Sequence, residues 1–82
     1  MAEQSMEHSR LRWRCRRGIR ELDLMLGAWL QGAAGASAHQ LAEFARLLEL
    51  PDPELERYLV WGDRPADPAL AAMVAAIREL HP

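Results

Sequence analysis

The chain has 82 residues, half of them apolar, with a formal net charge of −2 and one cysteine. That length provides one small domain with a modest core and a stability of a few kcal/mol, and it leaves no room for a catalytic domain beside a cofactor domain. A single cysteine excludes an internal disulfide, and no apolar run approaches the roughly 20 residues of a membrane span, so the expectation is a cytoplasmic protein without direct membrane insertion.

The opening residues, MAEQSMEHS, contain Glu3 and Glu7 but no apolar core, and read as neither a secretory signal nor an Arg-rich transit peptide. Residues 1–8 are expected to be flexible. A first helix follows over 6–16, with Leu11 and Cys15 on one apolar edge. The cations Arg14 and Arg16 flank Cys15 and would lower a thiol pKa, yet the simpler expectation is a small buried helix residue. Trp13, set among arginines, either caps the edge of the core or stands out as an exposed anchor.

Charge is unevenly placed along the chain. Residues 1–20 hold six arginines against Glu3 and Glu7, a balance of +4; residues 21–82 hold ten acids against four arginines, a balance of −6. All six arginines of the first part fall between Arg10 and Arg20, and lysine is absent.

A second helix is expected over 18–30, where Leu22, Met25, Leu26 and Trp29 recur at helical spacing. The loop QGAAGAS ends at Ser37, which with Gln40 forms a capping-box pattern before a helix over 38–50 bearing Leu41, Phe44, Ala45 and Leu48. LPDPEL places Asp52 as the expected N-cap and Pro53 at the first helical position of a helix over 53–61, with Leu55, Tyr58 and Leu59. Gly62 reads as its stop. Asp67 and Pro68 repeat the device before a last helix over 68–80 with Leu70, Met73, Val74 and Ile77. No segment alternates with period two for long enough to be a strand. The expected fold is all-α, a compact five-helix bundle forming one domain over 1–82. Its expected core is Trp29, Phe44, Leu48, Leu59, Met73, Val74 and Ile77.

The residues offer no reaction. His8, His39 and His81 lack metal-ligand spacing, and the chain has no nucleophile elbow, P-loop or dinucleotide fingerprint. Glu21 and Asp23 point in different directions on a helix and do not make an acid/base pair. Six arginines would suit phosphate. On a helix, however, 10, 14 and 17 fall on one side and 12, 16 and 20 on another, with Glu21 and Asp23 close by. The apolar edge is too thin for a membrane-surface helix.

Protein recognition remains. Arginine forks bind carboxylates and stack on aromatic rings. In a continuous helix Arg17 and Glu21 would stand at i, i+4, where a surface pair is worth under about 1 kcal/mol. Gly18 points to more than that. Inside a helix a glycine costs up to about 1 kcal/mol relative to Ala, and it serves where a backbone turns sharply or another chain comes close.

RGIRE, Arg17 to Glu21, resembles the RGxxE motif of the SdhE family, known in eukaryotes as succinate dehydrogenase assembly factor 2. The resemblance extends through RLRWRCRRGIRELD (Arg10 to Asp23), FARLLELPDPEL (Phe44 to Leu55) and GDRPADPAL (Gly62 to Leu70), so it covers about residues 10–80. The Gly/Ala-rich loop from Gly32 to Gly35 departs from it. The resemblance implies a small five-helix protein that is not an enzyme. It implies a role in covalent attachment of FAD to the flavoprotein subunit of succinate dehydrogenase and, in bacteria, of fumarate reductase. The target performs the chemistry, joining one of its histidines to the flavin methyl carbon. FAD then belongs to the partner, and no cofactor is expected on this chain. Carried over, the motif names Arg17, Gly18 and Glu21 as the partner-binding site, with Arg10, Trp13 and Asp23 as secondary candidates. A monomer with no nucleic-acid partner is expected. The alternative is a CptB-like antitoxin or a nucleic-acid-associated regulator that uses the Arg-rich helix.

Overall fold

A computed structural model describes residues 9–80 of the chain. The segment 1–8, the expected helix start at residue 6 and His81 lie outside the described residues. Among the described residues there are five helices and no strand. Helix α1 covers residues 9–14, α2 Arg20–Gln31, α3 Ala38–Leu48, α4 Asp52–Leu59 and α5 Pro68–Glu79. The all-α expectation is met.

Helix starts follow local chemistry at two places as expected. Ser37 Oγ accepts from Gln40 N at 3.1 Å while Gln40 Oε1 accepts from Ser37 N at 2.9 Å, which completes the capping box of α3. Asp67 Oδ1 accepts from Ala69 N at 2.9 Å and from Leu70 N at 3.4 Å, with Pro68 at the first position of α5. The other oxygen of Asp67 takes Arg46 Nη2 at 2.6 Å and so ties the end of α3 to the start of α5. This guanidinium and, after it, the Ala69 amide hold the Asp67 carboxyl below its ordinary range.

Two expectations need correction. The N-cap of α4 is Pro51, not Asp52, and no side chain caps it. Asp52 is instead the first residue of the helix, and its carboxylate is engaged by an arginine 35 residues earlier in the chain. The second correction concerns the join between the first two helices. Expected ends at 16 and 18 give way to a stretch from Cys15 to Ile19 that is not helical. Gly18 has φ +84°, a left-handed value that cannot propagate an α-helix, and Ile19 is extended (φ −113°, ψ 114°) before α2 begins at Arg20. The chain turns there. The other ends differ from expectation by about two residues, the ordinary fraying of a terminus. Gly62, at φ +89°, follows the end of α4 as the expected stop.

Helix α5 packs against α2, α3 and α4. Leu22, Leu26, Phe44, Leu47, Leu55 and Ile77 form the innermost layer, and Leu48, Leu59, Met73 and Val74 are also buried. Leu11 and Cys15 of the first helical segment reach the same core. Trp29, an expected core residue, is half-buried at its edge, where it stacks on Phe44 with ring centroids 4.5 Å apart and planes at 18°.

Phe44 is 0% exposed and joins this stack to the helix crossing. Removing it should cost about 4 kcal/mol, comparable to the whole stability of so small a domain. Phe44→Ala is therefore expected to be largely unfolded at 25 °C by circular dichroism. Phe44→Leu, closer in volume, is expected to fold with a lower urea midpoint.

Candidate docking site

The motif begins with the one arginine that turns inward. Arg17 donates from Nε to Asp52 Oδ1 at 2.8 Å, from Nη1 to Leu48 O at 2.8 Å, and from Nη2 to Leu50 O. Its side chain is 18% exposed. Leu48 O belongs to the last turn of α3, which has carbonyls without helical partners and the negative end of the helix dipole. Asp52 stands at the start of α4, where the dipole favours an anion. Arg17 thus fills the gap between two helix ends of opposite need. Its backbone is held as well, since Asp23 Oδ1 accepts from Arg17 N at 2.7 Å. Asp23 lies one turn into α2, so the turn is pinned from both sides.

Gly18 follows directly and is exposed. A Cβ built on it meets nothing within 4 Å, so what restricts this position is its positive φ and not its neighbours. Glu21 is exposed on the first turn of α2 and has no ion-pair partner among the described residues. Because the helix is broken at the glycine, Arg17 and Glu21 do not form the i, i+4 pair that a continuous helix would make. Within the motif, then, the groups that face solvent are the Gly18 backbone, the Arg20 side chain and the Glu21 carboxylate.

The secondary candidates separate. Asp23 is bound to Arg17 and is half-buried. Trp13 is 72% exposed, so it does not cap the edge of the core. The Arg16 guanidinium lies over its ring, 5.2 Å from the centroid, and such contacts are worth about 0.5–1 kcal/mol at exposed sites. Arg10 is exposed one turn earlier on α1; no hydrogen bond or ion pair joins it to the motif among the described residues. Arg14 donates to Ala45 O of α3 at 3.2 Å.

Three acceptors of Arg17 are not among the expected site residues. Asp52 carries the signal of a cap, and the carbonyls of Leu48 and Leu50 carry no sequence signal at all. Their separations from Arg17, 35, 31 and 33 residues, put them beyond any local pattern. Arg16 over Trp13 is an i, i+3 neighbour and could have been found from spacing alone.

The site carries no activated nucleophile. Burial, and after it Asp23, push the Cys15 thiol up to about 11, against the lowering influence of Arg14, Arg17 and Arg12. Among the described residues no three His, Cys, Asp or Glu side chains converge as a metal site. The arrangement suits contact with another molecule, through a rigid turn flanked by charge and an aromatic ring.

Three measurements follow from this geometry. Arg17→Ala leaves two carbonyls and a carboxylate without their donor, at about 1.5–3 kcal/mol for hydrogen bonds to a charged group. A fall of that size is expected in urea denaturation, and Arg17→Lys is expected to recover little of it, because one ammonium cannot span the three acceptors. The folded thiol of Cys15 keeps its proton to higher pH than the unfolded one. Its contribution is therefore whole below pH 9.0 and is lost as the pH rises toward about 11. Wild type should accordingly lose stability relative to Cys15→Ala across that range. At pH 8 native protein should react with a disulfide reagent far more slowly than protein in guanidinium.

Comparison with known proteins places the chain in a family. A family model described as flavinator of succinate dehydrogenase matches residues 9–81. The FAD assembly factor SdhE of Methylococcus capsulatus is 45% identical over 75 residues, covering 90% of both chains. That of Shewanella oneidensis is 38% identical over 74 residues, covering 89% of this chain and 90% of the relative. That of Xylella fastidiosa is 37% identical over 79 residues, covering 95% of this chain and 81% of the relative. No solved structure shows a significant match.

Proposed function

The chain belongs to the family of flavinators of succinate dehydrogenase, and on that premise we propose that it binds the flavoprotein subunit of succinate dehydrogenase and promotes covalent attachment of FAD to it. The family is one of assembly factors and not of catalysts. The flavoprotein of fumarate reductase is a second target of the same kind. The observation that carries the proposal is the match over residues 9–81, which includes an exposed, internally braced RGxxE turn.

The contact is assigned to Gly18 and Glu21, with Trp13 and Arg10 beside them. Arg17 and Asp23 act by holding the turn. This division follows from which groups reach solvent and which are already bonded. The arginine cluster gives less support to a phosphate grip, because Arg14 and Arg17 donate within the chain and Arg16 lies on Trp13.

A binding partner shifts a conformational equilibrium only by its differential affinity for the two states. The factor must hold the flavoprotein, loaded with non-covalent FAD, in the arrangement competent for bond formation, and must bind the finished product less tightly. FAD is the partner's, and supplies the electrophilic flavin. The residues of this chain bind and orient the protein that carries it.

The test pairs pull-down of the flavoprotein subunit with in-gel flavin fluorescence. Gly18→Arg places a side chain on the turn and strains a positive φ by roughly 1–2 kcal/mol, so circular dichroism must accompany it. Gly18→Asn tolerates that φ and serves as the folded control for the backbone. Glu21→Ala changes no internal contact. Gly18→Arg and Glu21→Ala are expected to lower binding at least tenfold and to reduce covalent flavin in step. Normal binding and normal flavin in both would sink the proposal.

A further inference from the structure

A groove runs beside the motif turn, between α1 and α2. Arg12 forms its α1 side, and Asp23, Leu24, Gly27 and Gln31 follow one face of α2 along it. Three observations set it apart from ordinary surface. Leu24 is 57% exposed although α2 has a buried face available to it. Gly27 stands in the interior of α2, where glycine is the poorest helix former after proline. A Cβ built on Gly27 meets nothing within 4 Å, so no packing among the described residues requires the missing side chain.

We propose that this groove seats an extended segment of the flavoprotein partner, with the segment's backbone close to Gly27, an apolar side chain on Leu24 and an acidic side chain toward Arg12. The proposal rests on the docking function above and extends it to a second, adjoining site. Charge selects the occupant. Arg12 is exposed and has no ion-pair partner among the described residues. Asp23, the acid in the same groove, already accepts the Arg17 N–H through Oδ1. Accepting a neutral N–H does not cancel the charge of Asp23, so an incoming carboxylate is directed to the Arg12 end of the groove, where the guanidinium has no ion-pair partner among the described residues. Continuity supports the same partner. Arg12 also lines the hollow formed with Trp13 and Arg16, and Asp23 is bonded to the residue that precedes Gly18. One continuous surface therefore leads from the motif turn to Gly27.

A stability role and a docking role for Gly27 predict opposite pairings of effects. Gly27→Gln adds a helix-favouring side chain in open space, so its urea midpoint should rise above wild type. If the groove seats the partner, the same variant should bind the flavoprotein subunit carrying non-covalent FAD at least tenfold more weakly by calorimetry. Gly27→Ala should show the same rise in midpoint with a smaller loss of affinity. Arg12→Glu, which changes no internal bond, should weaken binding at least tenfold and flatten its salt dependence. Crosslinks from a photoreactive residue at position 31 should map to a flavoprotein segment that contains an acid. Wild-type affinity in both Gly27→Gln and Arg12→Glu, with Gly18→Arg still defective, would overturn the groove and leave the docking function standing. Failure of wild type to bind the flavoprotein would remove both. Self-association of wild type, abolished by Gly27→Gln in sedimentation, would assign the groove to a second copy of this chain and overturn the proposal.

Discussion

Arg17 is the point at which the two halves of the molecule meet. Its guanidinium satisfies carbonyls at the end of α3 and the Asp52 carboxylate at the start of α4, while its backbone N–H is taken by Asp23 of α2. Three helices therefore have their relative positions read out at one residue. A lysine would supply the charge without the fork. Asp52 is not a cap because the N-cap is Pro51 and Asp52 already lies in the helix; its Oδ1 instead holds a guanidinium across the fold. Pro53, which has no N–H, reduces the number of amides left waiting at that terminus.

From that brace follows the form of the exposed surface. Gly18 comes next in the chain after a residue that is bonded at both backbone and side chain, so the left-handed turn is presented in one position and not as a loose loop. Ordering a loop on binding costs affinity, and a turn already held avoids that cost. The brace and the proposed contact surface are thus adjacent but chemically distinct. Arg17 and Asp23 use their polar groups inside the protein, whereas Glu21, Trp13 and Arg12 keep theirs for solvent. A motif written as one string of letters is, in three dimensions, a support with a surface resting on it.

The fold was largely legible because its signals are local. Capping at Ser37 and Asp67, the helical spacing of Leu41, Phe44 and Leu48, and the stop at Gly62 all act within a turn or two of chain. The candidate site was legible only in part. Gly18 announced a turn, and the turn is there. The arginines, alike in sequence, were not separable. One is held, half-buried, by acceptors more than 30 residues away, one donates to α3, one lies on Trp13, and the others face solvent. Sorting them requires knowing which helix ends come together, and that depends on the packing of α5 against α2, α3 and α4. The misplaced N-cap has the same origin, since a tertiary demand on Asp52 outweighed its local propensity. Trp13 could not be placed from its neighbours, because an amphipathic ring suits both a core edge and an interface.

A factor that assists assembly must also let go. Its partner surface therefore cannot be a large apolar face like that of an obligate dimer, which buries a wide hydrophobic area and stays closed. The α1–α2 side of this chain is of the opposite character. Trp13 and Leu24 are its exposed apolar anchors, set among arginines whose contribution is screened and adjustable. In the proposed role, such a surface would find an acidic partner through its field and gain specificity from a few shaped positions. A rigid turn and a glycine-floored groove would tolerate little displacement of what they hold, so a small change in the partner's shape would release it. The rigidity that Arg17 imposes on the turn thus makes binding and release two outcomes of one fit.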